Sequence, residues 1–207
     1  MTAASMTGDI AVAFGGDLAL ATRKGLPDDL RLLLAHYPRE VWTGHANLGE
    51  MATFWLSRHA MFRELGALLE ESAGRFRKGT IDARQLADFF APRLQFFLQQ
   101  LHAHHHIEDD HYFPIFRRAE ARFIRGFEML EGDHDALAAS IQDSIAAANC
   151  FLRALNGAPD DIRPAADNYM QSGAVLIGGL TRHLDDEEDL IVPLILDRGE
   201  LALGVGH

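Results

Sequence analysis

Two stretches of the chain decide the fold: LHAHHHIEDDHYFP at residues 101–114 and LTRHLDDEEDLIVP at residues 180–193. Both contain the frame L-x-x-H-x-x-x-E-x-x-x-x-x-P, which supplies two polar pairs: His104 with Glu108 and His183 with Glu187. A His and a Glu four residues apart lie on one face of a helix, about one turn from each other. The repeat therefore predicts two helices that carry matching polar pairs.

The remainder of the chain after residue 45 also has helical periodicity, without alternating runs of β-branched residues. We predict four long helices, over about 47–72, 81–116, 119–155 and 164–197, with a kink near Pro92. Long helices joined by short connections pack against one another. The predicted fold is therefore all-α, an antiparallel up-and-down four-helix bundle with an N-terminal extension.

The sequence divides into three predicted segments. Residues 1–45 form an N-terminal arm that contains a short helix from Pro27 to just before Pro38. Residues 46–200 form the bundle, and residues 201–207 form a C-terminal tail.

Each polar pair of the repeat lies within an apolar helical stripe. At 100° per residue, one stripe contains Phe97, Leu101, His104, Glu108 and Ile115, and the other contains Leu176, Leu180, His183, Glu187, Leu190 and Leu194. A buried carboxylate without a positive partner is costly. A metal ion would supply that charge to both pairs.

The other two long helices each offer one histidine in apolar surroundings, His59 and His134. Together with the repeat they give four imidazoles and two carboxylates. Two carboxylates can bridge two metals, each of which then has two imidazoles, and an oxo or hydroxo bridge leaves one open position per metal. A site with nitrogen and oxygen ligands and with open coordination positions on each metal suits iron or manganese. The alternative is a metal-free bundle that contains two buried His–Glu hydrogen bonds.

Several neighbouring polar residues have less defined roles. His111 shares the stripe of Glu108 and is either an additional ligand, a hydrogen-bonding partner or proton carrier beside the metal, or a core histidine. Glu131 precedes His134 by one turn and is either an acceptor for it or a surface charge. His102, His105 and His106 are expected to point away from the site, and the acidic run 185–189 around Glu187 is expected to be solvated.

Composition restricts the classes of partner. The 207 residues carry a net charge of −11, which argues against nucleic acid and anionic membranes as partners. Cys150 is the single cysteine, so one chain has no internal disulfide and no cysteine-based metal site. No run reaches the roughly 18 apolar residues of a membrane helix, and the N-terminus lacks a basic region, so we expect a cytoplasmic protein.

The ordered set resembles the hemerythrin-like HHE cation-binding family over about residues 48–197, most clearly in HHHIEDDHYFP and RHLDDEEDLIVP. The resemblance implies a four-helix bundle with a non-haem di-iron centre. Its terminal ligands would be His59, His104, His134 and His183, with Glu108 and Glu187 as bridges. Oxygen-carrying hemerythrins have a further histidine where this chain has Ala138.

The expected function is to bind a small diatomic ligand, O₂ or NO, at two iron ions, for sensing, storage, detoxification or iron-centre repair. Manganese and zinc are the alternative metals. One alternative function is catalytic: a di-iron oxidase, peroxidase or ferroxidase. Another is a metal-dependent regulatory or interaction module in which the arm contacts a partner.

Overall fold

The computed structural model describes residues 18–206 of the chain. Its helices are α1 (Arg39–Trp42), α2 (Glu50–Arg77), α3 (Ala83–Ile107), α4 (Phe113–Ala119), α5 (Ile124–Ala154), α6 (Pro159–Arg198) and α7 (Glu200–Leu203). Short 3₁₀ turns occur at Asp28–Leu30 and Ala121–Phe123. Over residues 18–206 there is no β-strand, which confirms the predicted all-helical class.

The long helices follow the predicted ones with two differences. The predicted second helix is not uniform, because a π-helical turn at Glu108–Tyr112 connects α3 to α4. The last long helix begins at Pro159 rather than at Pro164, since proline is tolerated in a first turn and Asp160 and Asp161 favour a helix N-terminus. Pro92 lies inside α3 and does not end it.

The long helices pack in pairs: α5 against α6, α2 against both α3 and α6, and α3 against α5. This arrangement is consistent with a four-helix bundle. Helices α5 and α6 approach closely at Gly126, where a Cβ would lie 2.8 Å from a methyl group of Leu190. A side chain at this position would require the side chain of Leu190 to move.

Two apolar clusters enclose the middle of the long helices. One includes Trp55, Phe116, Phe127 and Leu194, and the other includes Phe62, Phe97, Leu137 and Leu180. The polar residues predicted to bind metal lie between these clusters along the helices. The core therefore isolates them from water on both sides.

The N-terminal arm packs onto this core, although its residues 1–17 lie outside the described residues. The short helix predicted between Pro27 and Pro38 is reduced to the turn Asp28–Leu30, followed by isolated turns up to Tyr37. A segment this short between two prolines is marginal as a helix on its own. Burial of its leucines holds it in place instead, because Leu26, Leu30 and Leu33 belong to the apolar cluster around Trp55.

The beginning of α7 is bound to the beginning of α2. The Glu200 carboxylate accepts hydrogen bonds from the backbone N–H groups of Ala52 (2.8 Å) and Met51 (3.3 Å). A Cβ on residue 49 would lie 2.2 Å from that carboxylate, so only Gly49 leaves room for it. Residue 207 of the predicted tail lies outside the described residues. Within 18–206, no helix combines the length and apolar character that crossing a membrane requires.

Candidate metal centre

The four predicted histidines meet in the interior, one from each long helical stretch: His59 on α2, His104 on α3, His134 on α5 and His183 on α6. They form two pairs. The Nε2 atoms of His59 and His104 lie 3.0 Å apart, and those of His134 and His183 lie 3.1 Å apart. Two nitrogens bound to one cation at about 2.1 Å would lie about 3.0–3.4 Å from each other. Both spacings fit a shared cation.

Each glutamate of the repeat touches both histidine pairs. Glu108 places Oε1 at 3.0 Å from Nε2 of His104 and Oε2 at 3.7 Å from Nε2 of His134. Glu187 places Oε2 at 3.6 Å from Nε2 of His59 and at 3.3 Å from Nε2 of His183. The two carboxylates therefore lie where they could bridge two cations.

Neither carboxylate is satisfied by the protein. Glu108 and Glu187 are 1% and 0% exposed, and their oxygens accept no well-formed hydrogen bond from the described part of the chain. Buried carboxylate oxygens without donors are unfavourable unless a positive charge compensates them. This observation, together with a donor set of imidazoles and carboxylates, fits a metal centre.

The pKa values show how the site holds protons without a cation. Burial, and then the charge of Glu187, raises the pKa of Glu108 well above its ordinary value. Burial lowers the pKa of His104 to about 3. Burial also opposes protonation of His183, but its hydrogen bond with Asp133 and its contact with the Glu187 carboxylate outweigh this effect and raise its pKa to about 9. A proton on His183 thus supplies positive charge near the position a cation would take.

Acidic side chains lie behind three of the imidazoles, within hydrogen-bonding reach of Nδ1: Glu188 behind His59 (3.0 Å), Asp109 behind His134 (2.8 Å) and Asp133 behind His183 (3.3 Å). A carboxylate in this position fixes the tautomer and the ring orientation, and it makes Nε2 a stronger ligand. The sequence pattern predicted no role for Asp109 or Asp133, and Glu188 was expected to be solvated. The spacing of Asp109 and Glu188, each one residue after a glutamate of the repeat, was the available signal.

The acidic residues around Glu187 were expected to be solvated, but two of them are not. Asp186 and Glu188 are buried, at 1% and 5% exposure. Arg23 of the arm binds Asp186, while Arg63 and Arg39 bind Glu188 at 2.7 and 2.9 Å. The expectation was wrong because these arginines are remote in sequence from the acids they bind. In addition, the arm covers the outer face of α6.

The structure does not bring His111 into the centre. The π-helical turn contains about one more residue per turn than an α-helix. The side chains after Glu108 therefore no longer lie on the apolar face that carries His104 and Glu108. His111 is exposed and contacts the ring of Tyr112, with the centroids 5.0 Å apart. Glu131 forms an ion pair with Arg117 rather than reaching His134.

His105 was expected to point outward, but it is buried at 7% exposure and stacks on His134. The ring of His134, on α5, covers it. By contrast, His102 and His106 are exposed, as expected.

Aromatic side chains form the walls of the centre. Phe113 lies 5.6 Å from His134 and Phe62 lies 5.2 Å from His104, measured between ring centroids. Trp55 stacks on Phe116 at 5.8 Å. These walls exclude water, and charges interact more strongly in such surroundings.

Comparison with known proteins gave one match. A family model described as Hemerythrin HHE cation binding domain matches residues 50–195, a range that contains all six predicted ligands. Searches of curated proteins and of solved structures found no match.

Proposed function

The chain belongs to the hemerythrin HHE cation-binding family, and we propose that it is a non-haem di-iron protein that binds a small diatomic molecule, O₂ or NO. The proposed fold is the antiparallel up-and-down four-helix bundle, formed by residues 46–200. The proposed roles of the molecule are sensing, storage, detoxification or repair of iron centres.

One observation carries the proposal: two buried carboxylates without hydrogen-bond donors lie between two pairs of imidazoles. His59 and His104 would hold one cation, and His134 and His183 would hold the other. Glu108 and Glu187 would bridge the two. The two negative charges would then be compensated inside the core.

When bound, iron supplies reversible redox chemistry and open coordination positions for a small molecule. The protein supplies orientation and surroundings that are shielded from water. Glu188, Asp109 and Asp133 fix three imidazole rings from behind. Phe62 and Phe113 exclude water, which favours a small uncharged ligand over a hydrated anion.

The test is anaerobic reconstitution of the protein with ferrous iron, followed by addition of O₂ or NO in measured amounts. We expect new near-ultraviolet and visible absorption that saturates at a fixed ratio of ligand to protein. A Glu187→Gln variant should lose this response, whereas Glu128→Gln, on the exposed side of α5, should keep it. Absence of iron uptake by the wild-type protein would overturn the proposal. Continued consumption of O₂ or peroxide would instead assign the centre to an oxidase or peroxidase.

A further inference from the structure

An apolar cavity of about 110 Å³ lies between the long helices, apart from the candidate metal centre. Leu69 and Ala73 of α2, Leu94 of α3 and Met170 of α6 contribute to its walls. These side chains belong to a third apolar cluster, which fills the half of the long helices beyond Phe62. The cavity therefore interrupts a part of the core in which close packing is the rule.

Two aromatic rings separate this cavity from the centre. Phe97 lines the cavity, and its ring centroid lies 5.9 Å from that of Phe62. The ring centroid of Phe62 lies in turn 5.2 Å from that of His104. None of the six candidate metal ligands, all within residues 18–206, lines the cavity. A molecule bound in it would not touch the centre.

Two glycines show how the space arises between α2 and α6. At Gly66 of α2, an added Cβ would lie 3.1 Å from a methyl group of Ile177 on α6, so the two helices are in close contact there. At Gly173 of α6, which lines the cavity, an added Cβ would meet no atom of the described residues within 4 Å. Residue 173 therefore leaves open space where most residues would place a side chain.

Tyr169 brings an unpaired hydroxyl to the cavity wall. The residue is 4% exposed, and its hydroxyl forms no hydrogen bond within residues 18–206. Its ring stacks on that of Phe90, with centroids 4.1 Å apart, which holds it in place. Burial raises the pKa of Tyr169, so the hydroxyl keeps its proton and can donate it. Because buried tyrosine hydroxyls usually have a partner, this one is available to a ligand.

Ser144 of α5 is a second buried hydroxyl on the wall. Its Oγ atom lies 3.3 Å from Oγ and 3.4 Å from the carbonyl oxygen of Ser172. Both distances exceed those of ordinary O–H···O hydrogen bonds, which are about 2.5–3.0 Å. The Ser144 hydroxyl could therefore exchange a weak contact for a stronger one with a ligand.

The mouth of the cavity carries one charge of each sign. Glu70 and Arg77 of α2 both line it and are exposed, so solvent reaches the cavity from this side. Opposite charges at the mouth give no net attraction for an anion or a cation. The interior offers an ion no charged partner either, since its polar groups are hydroxyls.

We propose that this cavity binds a small uncharged organic molecule that has an apolar body and one hydrogen-bonding oxygen, such as a phenol. An apolar cavity of about 150 Å³ can bind benzene, so a cavity of about 110 Å³ that opens to solvent has room for most of such a ring. The oxygen would accept the proton of the Tyr169 hydroxyl. This binding site goes beyond the proposed di-iron function and does not depend on it.

The experiment titrates phenol into the full-length protein, as purified, with ¹³C-labelled methionine methyl groups. Met170 lines the cavity, whereas Met129 belongs to the apolar cluster around Trp55. NMR should show a saturable shift of the Met170 signal and no shift of the Met129 signal. Benzene, which lacks the oxygen, should bind about 3- to 10-fold more weakly than phenol.

Two substitutions test the hydroxyl and the space separately. Tyr169→Phe should weaken phenol binding about 3- to 10-fold and leave benzene binding unchanged. Gly173→Leu should fill the space and abolish binding of both molecules. Its matched control is Gly178→Leu on the same helix, at an exposed glycine where an added Cβ would also meet no atom within 4 Å. This control should bind phenol like the wild type.

Absence of a saturable shift of the Met170 signal up to about 10 mM phenol would overturn the proposal. Equal phenol binding by Gly173→Leu and Gly178→Leu would also overturn it, because the molecule would then bind elsewhere. Tighter binding of benzene than of phenol would contradict the chemical class. The comparison of phenol with benzene in the wild-type protein is decisive even if Gly173→Leu fails to fold.

Discussion

The Nδ1 atom of His183 lies 3.3 Å from the Oδ2 atom of Asp133, and both residues are buried. The same carboxylate accepts two hydrogen bonds from the guanidinium of Arg23, and Arg23 also donates to Asp186 at 2.7 Å. The N-terminal arm thus contributes a buried charge to the support of the metal centre. Asp133 therefore both holds the arm against the bundle and orients the ring of His183.

Arg23→Met should therefore affect both stability and metal binding. The substitution leaves Asp133 buried without its guanidinium partner and leaves Asp186 with Arg182 alone, at 3.7 Å, which should lower the free energy of unfolding by about 3–5 kcal/mol. Without Arg23, Asp133 should hold His183 less firmly, and cation affinity should fall about 10- to 100-fold. Urea denaturation and metal titration measure the two effects.

The matched control is Arg31→Met on the same arm, because Arg31 is exposed and lies 3.9 Å from the exposed Asp28. Surface pairs of this kind contribute about 0–1 kcal/mol, so this variant should resemble the wild type. Equal effects of the two substitutions would contradict the role assigned to Arg23.

Glu108→Gln should separate stability from metal binding. Because burial, and then the charge of Glu187, raises the pKa of Glu108 well above its ordinary value, the metal-free core favours an uncharged side chain here, and a neutral amide of similar shape should replace it with little change. The free energy of unfolding in EDTA should change by less than about 1 kcal/mol. Metal analysis should show loss of at least one bound cation, since a bridging charge is removed.

An equal substitution at an exposed carboxylate, Glu128→Gln, provides the control for Glu108→Gln. It should bind metal like the wild-type protein. Full metal occupancy in Glu108→Gln would show that this carboxylate is not a ligand.

Metal uptake should release protons. Burial lowers the pKa of His183, but the hydrogen bond with Asp133 and the contact with the Glu187 carboxylate raise it from 6.5 to about 9 in the metal-free protein. The stability that this protonated ring contributes is complete below about pH 6.5 and is lost as the pH rises through about 9. A cation must displace the proton, so cation affinity should increase from pH 7 to pH 9.

Calorimetric titrations at pH 7 in two buffers of different ionisation enthalpy measure this release. The apparent enthalpy of binding should differ between the buffers in proportion to the protons released. Identical enthalpies in both buffers would show that His183 is not protonated in the metal-free protein.

Glu200→Ala should loosen the start of α2. It removes the acceptor for the N–H groups of Met51 and Ala52 and should cost about 1 kcal/mol of unfolding free energy, as for the loss of a helix cap. Thermal denaturation measures the effect. Leu201→Ala, at a neighbouring residue that is 78% exposed, should change stability by less than about 0.5 kcal/mol. A larger loss in Leu201→Ala would contradict this account of the contact.

The sequence was sufficient to predict the meeting of six side chains. The repeated four-residue spacing defines a face for each His–Glu pair, and the apolar stripe directs that face inward. His59 and His134 follow from the same periodicity on their own helices. Their roles as metal ligands stay a prediction that the experiments above address.

The surroundings of the centre could not be predicted in the same way. The π-helical turn after Glu108 shifts the phase of the helix and moves His111 to the surface. A spacing of 100° per residue therefore does not predict which side chains beyond that point face the core. Arg23 and Arg39 reach the acids of α6 from more than a hundred residues away, so no local pattern reveals those pairs. Burial of His105 depends likewise on the position of α5, through the ring of His134.

Metal content is the most direct test of the central claim. Protein produced in iron-supplied cells and purified without chelators should contain two metal ions per chain by elemental analysis, predominantly iron. The variant His104→Ala should contain fewer. A wild-type protein with only trace metal, which also fails to take up Fe²⁺ added anaerobically, would contradict the account.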